Sequence, residues 1–219
     1  MPVCDISQSE YFYSMLRPAV EKLRQDGVIA FPTETYYGLA ADSTSNTALN
    51  KLYRIKNRPS DKPLLVLISK EQQLCGLIAE FPVLYRELID RYWPGPLTLI
   101  FKAAPQVSPV LTAGTGTIGI RLSSSPIARS LVALFGKPIT ATSANPSGMR
   151  PGRSREDIEN MFGNQLDHIV DGGQACAALG STIVSLKSGK LQLVRQGQIL
   201  LPGKYFGRDS GSGAGCFAE

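Results

Sequence analysis

Residues 117–142 read TIGIRLSSSPIARSLVALFGKPITAT, and their order decides the fold class. The run 117–122 suits a short apolar strand. Ser125 followed by Pro126 is a helix N-cap with proline at the first helical position, and Gly136 stands just past the helix it opens. Residues 139–142 form the next strand. The same alternation extends upstream. An amphipathic helix is expected over 10–26, with Leu16, Val20 and Leu23 on one face and Gly27 at C′. A strand at 28–31 ends at Pro32. A helix over 46–55 is capped by Ser45 or Thr44 and carries Ala48, Leu49, Leu52 and Ile55 on its apolar face. Residues 64–68 read as a buried strand. The capping-box spacing of Ser69 and Gln72 predicts a helix over 70–79. A further helix at 83–92 is stopped by Pro94-Gly95-Pro96, and 97–102 is a strand. Downstream, Ser154 and Asp157 open a helix that ends near Gly163. Strands at 168–171, 182–186 and 191–195 close the domain. This pattern predicts an α/β, three-layer fold with a mixed β-sheet, one domain over 10–202. The Gly/Ser-rich residues 203–219 are expected to form a disordered tail.

The chain has 219 residues, 43% hydrophobic and 19% charged, a globular composition with room for a substantial core. A formal charge of +5 suits an anionic partner, nucleotide or RNA, and equally suits an ordinary soluble enzyme. Cys4, Cys75, Cys176 and Cys216 are scattered with no CxxC pair. That disfavours structural zinc and suits a reducing cytoplasm. Neither a signal peptide nor a membrane span is expected. The single histidine, His168, rules out a histidine metal triad, and its strand-like setting reads as structural or solvent-facing. No metal-ligating residues are expected.

Five segments carry chemical content. PTETYYGL, 32–39, places hydroxyls and a carboxylate at a sheet rim, where α/β folds hold ligands, or else is a polar turn. KNRPSDKPL, 56–64, concentrates Lys56, Arg58 and Lys62 with Asp61 the one nearby acid. Such a set suits polyphosphate or is a solvated loop. In GTGTIGIRL, 114–122, Arg121 breaks an apolar strand and so needs a carboxylate partner from protein or ligand. TATSANPSG, 140–148, runs a strand into Ser143, Asn145 and Ser147, a polar surface for a phosphate or sugar. Ser181 lies in the small-residue stretch 172–186, and Arg195 ends a strand in LVRQG. Walker A is absent, and GTGT lacks the third glycine of a dinucleotide fingerprint. Polar and cationic groups therefore recur at strand ends without a histidine base, cysteine nucleophile or metal cage. The chemistry implied is positioning and electrostatic stabilisation of an anionic reaction, as in phosphoryl or nucleotidyl transfer.

PTETYYGLAAD, KNRPSDKPL, YWPGPLTLIF, GTIGIRLSSSPIA, TSANPSG and LVRQG, in that order, resemble the YrdC/Sua5 family of threonylcarbamoyl-AMP synthases over roughly residues 12–200. The KxR and SxN signature falls on Lys56, Arg58, Ser143 and Asn145. The resemblance implies a twisted mixed sheet flanked by helices around a basic concave cavity. It implies L-threonine, bicarbonate and ATP as substrates, with Mg2+, and pyrophosphate and threonylcarbamoyl-AMP as products. This would be the first step toward N6-threonylcarbamoyladenosine in tRNA (t6A37), completed by a downstream threonylcarbamoyl transferase. The length looks like the short, single-domain form.

Carried over by motif, Lys56 and Arg58 would be catalytic. Lys56, Arg58, Lys62, Thr117, Ser143, Asn145, Pro151 and Arg195 would surround ATP. Thr35, Leu67, Arg121, Ala141 and Ser181 would face threonine, with Arg121 gripping its carboxylate. Leu67 departs from the family, many members of which carry histidine there. In the implied mechanism threonine carbamate attacks the α-phosphorus of ATP while Lys56, Arg58 and magnesium neutralise the leaving pyrophosphate. Two alternatives are a carbamoyl-adenylate former with another amine substrate and a non-catalytic RNA-binding protein, the latter without an RRM or KH signature.

Overall fold

The computed structural model describes residues 6–175 and 178–206, with side chains from residue 10 onward. In chain order the elements are α1 (Ile6–Arg24), β1 (Ile29–Pro32), β2 (Tyr37–Ala40), α2 (Asn46–Lys56), β3 (Leu65–Ile68), α3 (Tyr85–Tyr92), β4 (Leu97–Lys102), α4 (Pro109–Thr112), β5 (Thr117–Leu122), α5 (Pro126–Phe135), β6 (Ile139–Thr140), β7 (Thr142–Ser143), α6 (Arg155–Phe162), β8 (His168–Ile169), β9 (Thr182–Lys187) and β10 (Lys190–Arg195). Among the described residues no helix is long and apolar enough to cross a membrane.

The strands form two sheets, ordered β7-β2-β1-β8 and β10-β9-β4-β5-β3-β6. Both are mixed. β1 runs antiparallel to β2 and parallel to β8, while β5 runs parallel to β3 and antiparallel to β4. The expected strand at 139–142 is in fact two strands that belong to different sheets. β6 pairs with β3, β7 pairs with β2, and Ala141 between them donates its N–H to the Leu65 carbonyl at 2.8 Å. This crossing stitches the sheets together at one end and leaves a space between their faces.

Helices α1 and α5 cover one side. Leu16, Leu23, Leu131 and Phe135 pack there against Ile29, Phe31, Leu67 and Ile139. The other core cluster lies under α2, α3 and α6, with Leu52, Tyr85 and Ile158 against strand residues such as Leu39, Val66, Leu99 and Ile120. Local rules explain most ends. Ser45 caps α2 through the Ala48 N–H, and Ser125 caps α5 with Pro126 at its start and Gly136 left-handed at its end. Ser154 and Asp157 form a reciprocal capping box on α6.

Three local expectations are corrected. The left-handed residue after α1 is Asp26, at φ 58°, not Gly27. Gly27 is required for another reason: a Cβ there would lie 2.6 Å from the Lys22 carbonyl oxygen. Residues 70–79 contain a 3-10 turn, Glu71–Gly76, rather than an α-helix. Ser69 is bonded through its N–H and hydroxyl to Gln73, so the register of the expected capping box is lost. Finally, Gly203–Tyr205 form a 3-10 turn held to α3, with Lys204 and Tyr205 both bonded to Glu87. The rest of the expected tail, 207–219, lies outside the described residues, as do Cys4, Cys176 and Cys216.

Candidate functional site

The space between the two sheets is a cavity of about 550 Å³. One wall is the rim of the four-stranded sheet: Thr33 and Thr35 in the β1–β2 turn, and Ser143 on β7. The opposite wall is the face of the six-stranded sheet, where Leu65, Ile100, Arg121 and Ile183 project. That face is kept close by Gly119. A Cβ there would come within 2.3 Å of the Leu65 Cδ2. Arg58, Lys62, Ser181 and Arg195 complete the lining.

The lining therefore brings together Arg58, Lys62, Arg121 and Arg195 and includes no Asp or Glu. Each guanidinium is held in its own way. Arg58 donates from Nε to the Lys62 carbonyl at 3.0 Å and from Nη2 to the Pro63 carbonyl at 2.8 Å, which folds KNRPSDKPL around it. Arg195 donates from Nε and Nη2 to the Ser181 carbonyl at 3.2 and 2.9 Å. Arg121 is buried, with Nη1 3.4 Å from Glu34 Oε1 and 3.3 Å from Thr35 Oγ1. Glu34 in turn accepts from Ser123 through Oε2, and its Oε1 has no hydrogen-bond partner among the described residues. The strand arginine thus has a protein carboxylate on one side and the cavity on the other. Burial lowers the pKa of all three arginines, and for Arg195 the charge of Arg121 adds to it. Arg58 and Arg195 thus face the cavity partly desolvated and with no acid in its lining, which favours an anion there, while Arg121 is balanced on one side by Glu34.

Of the residues expected to bind ligand, Thr35, Arg58, Lys62, Arg121, Ala141, Ser143, Pro151, Ser181 and Arg195 line this one cavity. Four do not. Lys56 is buried, and its ammonium donates to the Ser143 carbonyl, to the Asn145 carbonyl at 2.7 Å and to Asn145 Oδ1 at 3.1 Å. All three of its protons are spent on protein oxygens. Burial, reinforced by the Arg58 guanidinium, pushes its pKa down to about 7. Asn145 completes the same knot, donating from Nδ2 to the Pro146 and Met149 carbonyls at 3.0 and 2.6 Å. These two residues shape the loop that presents Ser143; the geometry gives neither a free group toward the cavity. The reason is local. Asn57 adopts the left-handed conformation at the end of α2, which sends Arg58 toward the cavity and leaves Lys56 on the inner side of the helix. Leu67 is buried in the core cluster with Phe31 and Ile139. Thr117 stands four positions before Arg121 on the same strand, its hydroxyl paired with that of Thr115 at 2.9 Å.

Tyr36, Leu179 and Gln196 also line the cavity and were not singled out from the sequence. Tyr36 lies inside the PTETYYGL segment, so its signal was present. Nothing in their composition distinguishes Leu179 or Gln196. His168 is half-buried on β8, paired with Ile29 and away from the cavity. Burial, Arg155 and Lys22 lower its pKa. It lines a separate shallow hollow with Arg155 and Glu159, whose charges pair with each other at 2.7 Å, so that hollow carries no comparable unbalanced charge. Among the described residues no group of three His, Cys, Asp or Glu side chains is placed to hold a metal.

Fold and cavity define an α/β domain with a cationic, hydroxyl-lined cavity between two mixed sheets. Residues 21–197 match the family model Sua5/YciO/YrdC, described as "Telomere recombination", and the chain belongs to that family. A threonylcarbamoyl-AMP synthase of Bacillus subtilis is 40% identical over 182 residues, 83% of this chain and 53% of that protein. One of Halorhodospira halophila is 35% identical over 157 residues, 72% of this chain and 82% of that protein. The structure of Pyrococcus abyssi Sua5 complexed with L-threonine superposes with a TM-score of 0.81 at 36% identity, covering 83% of this chain and 54% of that one. The chain spans about half the length of the first curated relatives it matches.

Proposed function

We propose that this chain is a threonylcarbamoyl-AMP synthase, joining L-threonine, bicarbonate and ATP with release of pyrophosphate. One observation carries the reading. Arg58, Lys62, Arg121 and Arg195, drawn from three distant parts of the sequence, converge with the hydroxyls of Thr35, Ser143 and Ser181 on a single cavity with no carboxylate in its lining. The relatives named above supply the identity of the ligands. Arg121 takes the amino-acid carboxylate, since its guanidinium has five N–H donors and the described residues engage one side of it. Arg58, Lys62 and Arg195 take the triphosphate, bidentate guanidinium contacts fixing it and the lysine adding point charge. Lys56 and Asn145 act as positioning residues through the loop of Ser143. Threonine carbamate is itself an anionic nucleophile, so the step needs alignment and charge stabilisation rather than a protein base.

Magnesium favours one or two carboxylates together with substrate phosphates. The cavity lining holds no carboxylate, so its residues do not fit a resident ion, and magnesium is taken to enter as part of the nucleotide substrate. The product is handed to a separate transferase that modifies tRNA. The scatter of four cysteines without a CxxC pair suits a reducing compartment such as the cytoplasm. The test is pyrophosphate release by the purified chain with MgATP, L-threonine and bicarbonate, the adenylate identified by mass. Release that persists without threonine would overturn the assignment in favour of another amine substrate.

A further inference from the structure

Two cavity hydroxyls, those of Thr35 and Ser181, are each paired with a second buried hydroxyl, and their hydrogens can be assigned by accounting for each short contact. Thr33 Oγ1 lies 2.7 Å from the Tyr36 carbonyl oxygen and 2.8 Å from Thr35 Oγ1, and it accepts from the Thr35 N–H at 3.1 Å. A carbonyl carries no hydrogen, so the contact with Tyr36 must be filled by the Thr33 proton. The contact with Thr35 must then be filled by the Thr35 proton. Thr35 therefore donates backward to Thr33, accepts from Arg121 Nη1, and keeps a lone pair for the cavity. Across the site the order is reversed. Thr98 is fully buried, and its hydroxyl has one hydrogen-bond partner among the described residues, Ser181 Oγ at 2.8 Å. Thr98 must donate. Ser181 Oγ then accepts from Thr98 and from Arg195 Nη2 at 3.2 Å, and its own proton has no acceptor among the described residues except what enters the cavity.

We infer that Thr33 and Thr98 set the two cavity hydroxyls in opposite senses: Thr35 as an acceptor for a ligand N–H or O–H, and Ser181 as a donor to an anionic ligand oxygen. This deepens the reading that the cavity takes an amino acid, which presents both kinds of group. Thr98 lies behind the wall and acts through Ser181; Thr33 borders the cavity beside Thr35, but its own proton is spent on the Tyr36 carbonyl, so its hydroxyl acts through Thr35.

The two relays predict unequal consequences for the same chemical change. Thr33→Val removes the acceptor of the Thr35 proton, and Thr35 is then free to turn from acceptor to donor toward the cavity. Thr98→Val removes one donor to Ser181 but leaves the Ser181 proton facing the cavity. Titration calorimetry of the full chain with L-threonine should show affinity lowered by about ten-fold or more in Thr33→Val, and by no more than about three-fold in Thr98→Val. Thr33→Ser, which keeps the hydroxyl, should stay within about three-fold of the unaltered chain. In a Thr35→Val background Thr33→Val should cause no further loss of affinity. A purely structural role would weaken binding about equally in the two valine variants, or would add to Thr35→Val, and either result overturns the inference. If the unaltered chain binds L-threonine but releases no pyrophosphate, the proposed reaction fails while the polarity assignment stands. If it does not bind L-threonine at millimolar concentration, both fall.

Discussion

Replacing Lys56 by methionine tests whether a buried ammonium holds the Ser143 loop. The change keeps most of the side-chain volume and removes the charge. It deprives the Asn145 carbonyl, Asn145 Oδ1 and the Ser143 carbonyl of a donor. The last of these keeps a bond from the Asn145 N–H at 3.0 Å. Orphaned buried acceptors cost about 1–3 kcal/mol each. Against this stands relief from burying a charge. A pKa near 7 in place of 10.5 corresponds to about 5 kcal/mol between protonation states. The sign follows from proton binding. With the folded-state pKa depressed, the unfolded chain binds more protons between pH 7 and 10.5, so stability from this group rises with pH through that window. It is complete above 10.5 and lost as pH falls through 7. The methionine variant lacks the slope. Urea denaturation of both chains at pH 7 and at pH 9.5 should show the gap widening by about 3 kcal/mol in favour of the unaltered protein. A gap that stays constant or narrows with pH would refute the reasoning, and would mean that the three oxygens hold the proton.

Three further outcomes are expected. Arg58→Ala should lower pyrophosphate release about 100-fold or more, with circular dichroism unchanged, since Arg58 is bonded to loop carbonyls and not to the core. Ser154→Ala removes half of the capping box on α6 and should cost about 1 kcal/mol in chemical denaturation with little effect on turnover at saturating substrate. Asp167 is pushed up by burial, but the Lys51 ammonium at 2.6 Å and the Val28 N–H at 2.7 Å outweigh this and hold its pKa below 3.8. Its stabilisation is therefore present above pH 3.8 and lost as pH falls through the depressed value. Asp167→Asn should reduce stability at pH 7 and show less acid sensitivity in thermal melts below pH 4 than the unaltered chain.

The sequence carried the fold where local chemistry was decisive. The Ser125-Pro126 start and Gly136 end of α5 lie in 117–142 as written, and the structure keeps both. It failed where pairing partners, not local preference, settle the outcome. Residues 139–142 look like one strand because nothing in ITAT marks the change of sheet at Ala141. β2 is not legible in the sequence, because a four-residue strand containing Gly38 has no alternation to detect. The site divides in the same manner. Arg121 was legible because a charge in an apolar strand requires a counter-charge, and both Glu34 and the cavity are there. Lys56 and Arg58, two residues apart, looked equivalent. The left-handed turn at Asn57 separates them, one into the protein and one toward the ligand, and no spacing rule reports that.

How the cavity fixes its cations bears on what it does. A carboxylate would hold a guanidinium in place and also cancel its charge. Arg58 and Arg195 are held instead by backbone carbonyls, those of Lys62, Pro63 and Ser181. A carbonyl orients the group and supplies a partial dipole, so the full positive charge stays available. The result is a rigid cluster whose counter-charge must come from outside the lining, which is the condition under which an entering polyphosphate gains most from preorganised donors. Arg121 is the exception, with Glu34 beside it. Its pairing fits a different task. A group that grips a singly charged carboxylate throughout the reaction needs fixed direction more than surplus charge, whereas groups facing the leaving pyrophosphate meet charge that grows as the bond breaks. On this division, placing an acid next to Arg58, whose guanidinium is bonded to the Lys62 and Pro63 carbonyls, would slow turnover while leaving the affinity for L-threonine near its original value.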